Sequence, residues 1–247
     1  FMIEKMDRKA QTLKGALLLI ALGGLVSFLI WKISDNMSSA IIIGGIAVAV
    51  VFIVSRRVWP YLPMGGLGAV GIAAFVHFVI SGMENSENFR FRRVIAWLNP
   101  EKYASDLAYQ TMQALYAIGS GGLFGKGLGN STQKMVLPEA QNDMIFSIIC
   151  EELGIFGVCI VMVLFVMLLY RLLVIAENAP DLYSSLMVTG IFAHIAIQVV
   201  LNIAVVTNTI PNTGVTLPFI SYGGTSILFL MAEMGLALGV SRRIEWE

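Results

Sequence analysis

The chain has 247 residues, 57% hydrophobic and 13% charged, about half the ~25% charged share of soluble domains, too little polar surface for a water-facing globule. Sixteen basic and sixteen acidic residues cancel, which removes the electrostatic case for a nucleic-acid partner. With a mean hydropathy of +0.80, the composition is that of an integral membrane protein.

The first thirteen residues are largely polar, and no A-x-A site follows the first apolar run, so no cleavable signal peptide is evident. Crossing a bilayer takes about 20 apolar residues. Six stretches meet or approach that length: residues 17–31, 40–54, 64–80, 144–170, 186–206 and 226–240. Lipid leaves no other way to satisfy their backbone groups, so all six are expected to be helices. The fold class is therefore an all-α, polytopic transmembrane helix bundle, a single membrane domain over 1–247. The fourth span, counted from 143 to 174, would be about 48 Å long at 1.5 Å per residue. It must tilt, project or bend near Gly154 and Gly157.

An even number of spans puts both termini on one side, together with Lys5, Arg8, Lys9, Lys14, Arg56, Arg57, Arg171, Arg242 and Arg243. The positive-inside rule makes that side cytoplasmic. Residues 81–142 then form a large extracytoplasmic loop, too long to be idle in a compact bundle. It holds a basic amphipathic stretch over 85–97, a helical apolar stripe over 105–118 (Leu107, Met112, Leu115, Ile118) and a Gly-rich turn. A second extracytoplasmic segment, 207–224, contains Pro211, Gly214, Pro218, Gly223 and Gly224 and is apolar enough to be re-entrant. Irregular backbone at membrane depth persists only where it is buried in protein or lines a wet cavity. Two such segments on one face predict a site there.

The Gly-rich turn 119–129 (GSGGLFGKGLG) fails as a phosphate loop: Gly127 stands where Ser or Thr is needed, Ser120 stands at the first glycine position, and no strand precedes it. A close-packed turn or backbone contact with a polar ligand are the remaining readings. Ser131 to Lys134 matches S-x-x-K, but the companion elements of that acylation chemistry are missing, so the match is chance. Arg90, Arg92 and Arg93, interleaved with Phe89, Phe91 and Trp97, suit either snorkelling at the interface or a clamp on phosphate groups. Asp143 lies where the loop re-enters the membrane. Either it is an N-terminal helix carboxylate favoured by the helix dipole, or it is a general base whose pKa a partly desolvated cleft would raise.

Glu151, Glu152 and Glu233 fall within or near the membrane, where acidic residues mark function or buried pairing. Glu151 is too far from Asp143 for an acid/base dyad and is read as a structural hydrogen-bonding group. Glu233 is left between His194 and a helix terminus as partner. Cys150 and Cys159, about 900° apart on one helix, point to opposite faces and are packing residues. Neither histidine has a second ligand at metal-binding spacing.

From residue 89 onward the sequence resembles the SEDS family, the FtsW, RodA and SpoVE group of bacterial cell-wall polymerases. The resemblance rests on YQTMQALYAIGSGGLFGKGLGNS at 109–131, PEAQNDMIF at 138–146, EELG at 151–154 and PNTGVTLPFISYGGTS at 211–226. It implies a peptidoglycan glycosyltransferase that polymerises lipid II, with Asp143 as the catalytic residue. Asp143 would take the proton of the acceptor 4-hydroxyl in an inverting displacement that releases undecaprenyl pyrophosphate.

Arg90, Arg92, Arg93 and Lys134 become candidates for stabilising that leaving group. Glu139, Asn202 and Ser221 are further substrate-binding candidates. The implied partners are lipid II, a class B penicillin-binding protein and membrane lipid. The implied location is the bacterial cytoplasmic (inner) membrane. No cofactor is required by the residues, and a divalent cation such as Mg or Mn stays open. Family members have additional N-terminal helices, so this chain, which opens on Phe1, is expected to be a C-terminal portion. A flippase or transporter of lipid-linked precursors, or a scaffold of a cell-wall synthase complex, are the competing expectations. Transporters tend to carry interrupted helices in repeated halves, and the sequence has no internal repeat.

Overall fold

The computed structural model describes residues 13–34, 36–54 and 89–244. The described residues form helices α1 (Leu13–Ser34), α2 (Met37–Val54), α3 (Phe89–Leu98), α4 (Tyr109–Gly121), α5 (Ile145–Glu177), α6 (Leu182–Val206) and α7 (Gly224–Ser241), with a 3₁₀ turn at Gln133–Met135. No strand occurs among them. Among the described residues, four stretches, Gly15–Ser34, Ile145–Glu177, Leu182–Val206 and Gly224–Ser241, are long and apolar enough to cross a membrane, and Ser38–Phe52 is a shorter apolar helix. The protein is all-α and polytopic, as its composition requires. The expected span at 64–80 lies outside the described residues.

The chain divides into two compact units. One comprises Phe1–Val58, Met162–Val200 and Pro218–Glu247; the other comprises Trp59–Val161 and Leu201–Leu217. In the first unit α1 and α2 approach closely because small residues meet. A Cβ on Gly23 would collide with that of Ala47, and one on Gly45 would press on Ile197 of α6. The Ser27 hydroxyl donates to the Ala40 carbonyl across the same contact. In lipid, where apolar burial gives helices no reason to associate, such close packing is what joins them.

Side-chain caps fix two helix starts. Asn36 Oδ1 accepts the N–H groups of Ser38 (3.0 Å) and Ser39 (3.1 Å) at the start of α2. Asp181 accepts the Ser184 N–H and hydroxyl, both at 2.8 Å, at the start of α6. Those two bonds hold the Asp181 carboxyl below its ordinary range and satisfy donors the helix itself cannot.

His194 on α6 meets Glu233 on α7, with Nδ1 3.0 Å from each carboxylate oxygen. The partner of Glu233 that the sequence left undecided is therefore His194. Large apolar side chains stay exposed along α5 (Leu164, Val166, Met167) and α7 (Leu228, Phe229, Leu238), the surface expected of helices whose solvent is lipid.

The second unit holds α3, α4, the loop up to Met144, the first part of α5 and residues 201–217. Of the amphipathic stretch expected over 85–97, residues 89–97 lie in α3 and 85–88 fall outside the described residues; of the stripe expected over 105–118, residues 109–118 lie in α4, and Leu107 precedes the helix. Trp97 Nε1 of α3 donates to the Asn208 carbonyl at 3.0 Å, and Asn208 Nδ2 returns a bond to the Trp97 carbonyl at 3.5 Å. This pair ties α3 to the segment that follows α6.

Helix α5 runs for 33 residues and is broken at Gly154, where φ is 65° and ψ −167°. The bend expected near Gly154 and Gly157 falls at Gly154. The part beyond it, about 34 Å at 1.5 Å per residue, matches a ~30 Å hydrocarbon core.

Candidate functional site

The break in α5 exposes carbonyls at the end of one helical segment and N–H groups at the start of the next. The Gly-rich turn satisfies both. Lys126 N donates to the Glu151 carbonyl and Gly127 N to that of Glu152, each at 2.9 Å. In return Ile155 N donates to Gly122 O at 3.0 Å and Phe156 N to Leu123 O at 3.1 Å. Such close backbone approach leaves no room for side chains. A Cβ on Gly121 would strike the Cys150 carbonyl, and one on Gly125 would strike that of Glu152. Of the two readings left by sequence, the close-packed turn describes the middle of the segment, where Gly121 and Gly125 meet α5 backbone, while Gly119 lies within α4 and Gly129 has open space around it.

Glu151, 0% exposed, fastens this turn from within. Its Oε1 accepts from Ser120 Oγ (3.3 Å), Lys126 Nζ (2.5 Å), Thr132 Oγ1 (2.8 Å) and Thr132 N (3.3 Å). Its Oε2 accepts from the Ser131 hydroxyl and from Gln133 N at 3.2 Å. Glu151 thus has the structural hydrogen-bonding role expected of it. Ser131 also accepts the Lys134 N–H at 3.0 Å, so in the S-x-x-K match the serine is a turn residue bound to a carboxylate.

On this platform the chain runs through Pro138–Met144 to Asp143, two residues before α5. Asp143 is 8% exposed. Burial pushes its carboxyl above the ordinary range and the nearby Glu139 adds to the rise, while a backbone bond and the Gln110 amide oppose it. Asn202 of α6, fully enclosed, donates from Nδ2 to the Asp143 carbonyl and to the Val215 carbonyl, both at 2.7 Å. Gln110 of α4 donates from Nε2 to the Pro138 carbonyl at 3.1 Å and to Asp143 Oδ1 at 3.4 Å. Asn212 Nδ2 donates to Gln110 Oε1 at 2.7 Å, and Gly214 N donates to Asn212 Oδ1 at 3.0 Å. Gln110 and Asn212 also line a shallow cleft with Arg93, Trp97, Leu107 and Thr111. The carboxylate is therefore one amide group away from an opening.

Among the other candidates, Arg93 lines that cleft. Arg92 instead pairs with Asp106 at 3.1 Å on an exposed surface. Arg90 lies in α3, with its side chain outside the described residues. Lys134 is exposed in the 3₁₀ turn. Glu139, at φ 54°, is exposed and accepts a bond from the Asn142 amide. Asn202 sits beneath Asp143 with its donors committed to backbone. Ser221 is buried and belongs to the other compact unit. No group of three His, Cys, Asp or Glu side chains among the described residues could hold a metal ion, so they offer no ready set for a divalent cation.

Sequence reasoning did not single out Gln110 or Asn212. Both stand in segments that carry the family resemblance, Gln110 after Tyr109 and Asn212 after Pro211, but only the fold brings residues 102 positions apart into one hydrogen bond.

Comparison with known proteins places these features in context. The family FTSW_RODA_SPOVE, described as cell cycle protein, matches residues 1–245. The chain is 42% identical over 217 residues to stage V sporulation protein E of Bacillus subtilis, covering 87% of this chain and 57% of that protein. It is 38% identical over 239 residues to the probable peptidoglycan glycosyltransferase FtsW of Coxiella burnetii, covering 95% of this chain and 61% of the relative. The chain thus spans about six tenths of the length of these curated relatives. A solved chain, described under structural coordination of polymerization and crosslinking by a peptidoglycan synthase complex, superposes with a TM-score of 0.71 at 27% identity, over 96% of this chain and 64% of the other.

Proposed function

The chain belongs to the FtsW, RodA and SpoVE family of cell cycle proteins, and from that membership we propose that it is the portion of a peptidoglycan glycosyltransferase that holds the catalytic base. The observation that carries this reading is Asp143: a buried carboxylate with a raised pKa, held at its backbone by Asn202 and at Oδ1 by Gln110, beside a cleft lined by Arg93. Burial brings a carboxyl toward the range in which it works as a base near neutral pH.

In the proposed reaction Asp143 takes the proton of the acceptor sugar's 4-hydroxyl. The oxygen attacks the anomeric carbon of the donor sugar, and the bond to undecaprenyl pyrophosphate breaks with its electron pair. Arg93 is the described cation best situated to steady the pyrophosphate; Arg90, Arg92 and Lys134 stay candidates of the same kind. No step is assigned to a divalent cation. A class B penicillin-binding protein is the proposed partner, in keeping with the synthase complex to which the solved neighbour belongs. The proposed setting is the bacterial inner membrane, with both ends of this chain cytoplasmic.

The test is glycan polymerisation from lipid II by the full-length protein with its partner in liposomes. Asp143→Asn is expected to lower the rate at least a hundredfold, on the scale of losing a general base, while membrane insertion and partner binding persist. Unchanged polymerisation in that variant would reject the assignment.

A further inference from the structure

We propose that Gln110 is the positioning residue of Asp143: its side-chain amide, oriented by Asn212, holds Oδ1 and leaves Oδ2 as the oxygen that takes the acceptor's proton. This rests on the glycosyltransferase reading above.

The polarity of the relay is fixed at both ends. The Gly214 N–H can only donate, so Asn212 Oδ1 must face it and Asn212 Nδ2 must face Gln110. The Pro138 carbonyl can only accept, so Gln110 Nε2 must face it, and the same nitrogen reaches Asp143 Oδ1. An amide otherwise free to turn by 180° thus has one orientation. Flipped, it would set a carbonyl oxygen against both Pro138 O and the carboxylate.

The second oxygen, Oδ2, has no hydrogen bond of this kind among the described residues. It faces Gly214, where an added Cβ would lie 3.9 Å away. A Cβ there would be in ordinary van der Waals contact, so residue 214 does not crowd Oδ2. Asn202 anchors the other end of the residue through the Asp143 carbonyl, so the backbone and one carboxylate oxygen are both restrained. At 3.4 Å the Gln110 bond is long, as bonds to catalytic groups often are before substrate is bound.

In the step itself the acceptor O–H bond breaks and its proton passes to Oδ2. The freed oxygen pair forms the glycosidic bond, and the pyrophosphate departs with the electrons of the bond it loses. Gln110 exchanges no proton. It selects which oxygen does, and favours the ionised carboxylate that must be present beforehand.

The experiment measures pH–rate profiles of lipid II polymerisation by the full-length protein with its partner, in wild type, Asp143→Asn, Gln110→Met and Asn212→Asp. Gln110→Met keeps the side-chain length and removes the donor. Asn212→Asp keeps the shape but cannot donate, so the Gln110 amide turns its NH₂ toward residue 212 and its carbonyl toward Asp143. Both are expected to lower kcat roughly tenfold or more, the scale of a misplaced catalytic group. KM for lipid II should stay within about twofold, as for a loss confined to the transition state, and the acid limb should move to higher pH. Loss of packing alone would not move that limb, and the uncharged Gln110→Met decides it, since a carboxylate at residue 212 would also raise Asp143 by charge, as Glu139 does.

An acid limb that stays in place in either folded variant, or a rise in KM alone, overturns the positioning role while leaving Asp143 as base. An active Asp143→Asn overturns both. If Gln110→Met does not fold, Gln110→Leu, also uncharged and without a donor, reads the same bond.

Discussion

Asp143 is held in the fold at a cost that its neighbours only partly offset. Its carboxyl is raised by burial and by Glu139, so the folded protein binds that proton more tightly than the unfolded chain does. The sign follows from linkage: the favourable contribution is fully present below the unfolded pKa, about 4 for a carboxyl, and is lost as pH rises through the folded value. At neutral pH the ionised group is a net burden. Asp143→Asn removes the charge while keeping an oxygen for Gln110, so it should raise the melting temperature at neutral pH. Each ~1 kcal/mol amounts to about 2–4 °C in a chain of this size. The gain should shrink as the pH is lowered toward 4, and melting curves across that range check it; a variant no more stable than wild type at neutral pH would contradict the burden. Glu151 is the opposite kind of buried acid. It accepts from six donors, one of them the Lys126 ammonium, and Glu151→Ala strands them all. Breaking a buried charged pair costs about 3–5 kcal/mol, so the variant should unfold or aggregate in thermal challenge while Glu152→Ala, on a half-buried neighbour, loses far less.

The broken α5 and the Gly-rich turn behave as one element because each supplies the hydrogen bonds the other lacks. Glycines within that one motif should therefore differ sharply. Gly119 has nothing within 4 Å of an added Cβ and sits inside α4, so Gly119→Ala should be neutral or stabilising by up to about 1 kcal/mol. Gly125 is at φ 73°, Gly154 at φ 65°, and at each a Cβ would strike backbone of the other segment. Alanine at either should cost well over ~1 kcal/mol, since strain and collision add. Thermal stability of the three variants in detergent checks the contrast, and equal tolerance would dissolve the pairing. The bend itself was legible in the sequence, because a 33-residue apolar run exceeds any bilayer and Gly154 is the residue that tolerates a left-handed turn. What caps the bend was not legible. Residues 121–127 carry no periodicity or motif that names 150–156 as their partner, and such a pairing exists only in three dimensions. The same divide separates the site residues. Asp143 could be singled out from its place at the loop–helix junction, whereas Gln110 and Asn212 act through a hydrogen bond that no local pattern encodes.

For the whole molecule, composition and hydropathy are enough to require a polytopic helical protein, and the placing of its polar site outside the cytoplasm is a proposal about orientation. The orientation rests on the charge bias of the loops, nine basic residues on the proposed cytoplasmic side against seven, and can be tested without reference to catalysis. Asn130, exposed in the loop before α5, and Asn178, exposed just after it, are separated in the chain by one membrane crossing. In a background with both native cysteines replaced by serine, Asn130→Cys should react with a membrane-impermeant maleimide on intact spheroplasts. Asn178→Cys should react only after the membrane is permeabilised. The chain with its native Cys159 retained gives a separate control. Cys159 is exposed on the apolar part of α5 and so faces lipid, where a charged reagent does not partition. The reverse labelling pattern would turn Asp143 and its cleft toward the cytoplasm and overturn the proposed orientation, and with it the proposed reaction at an outer-face site.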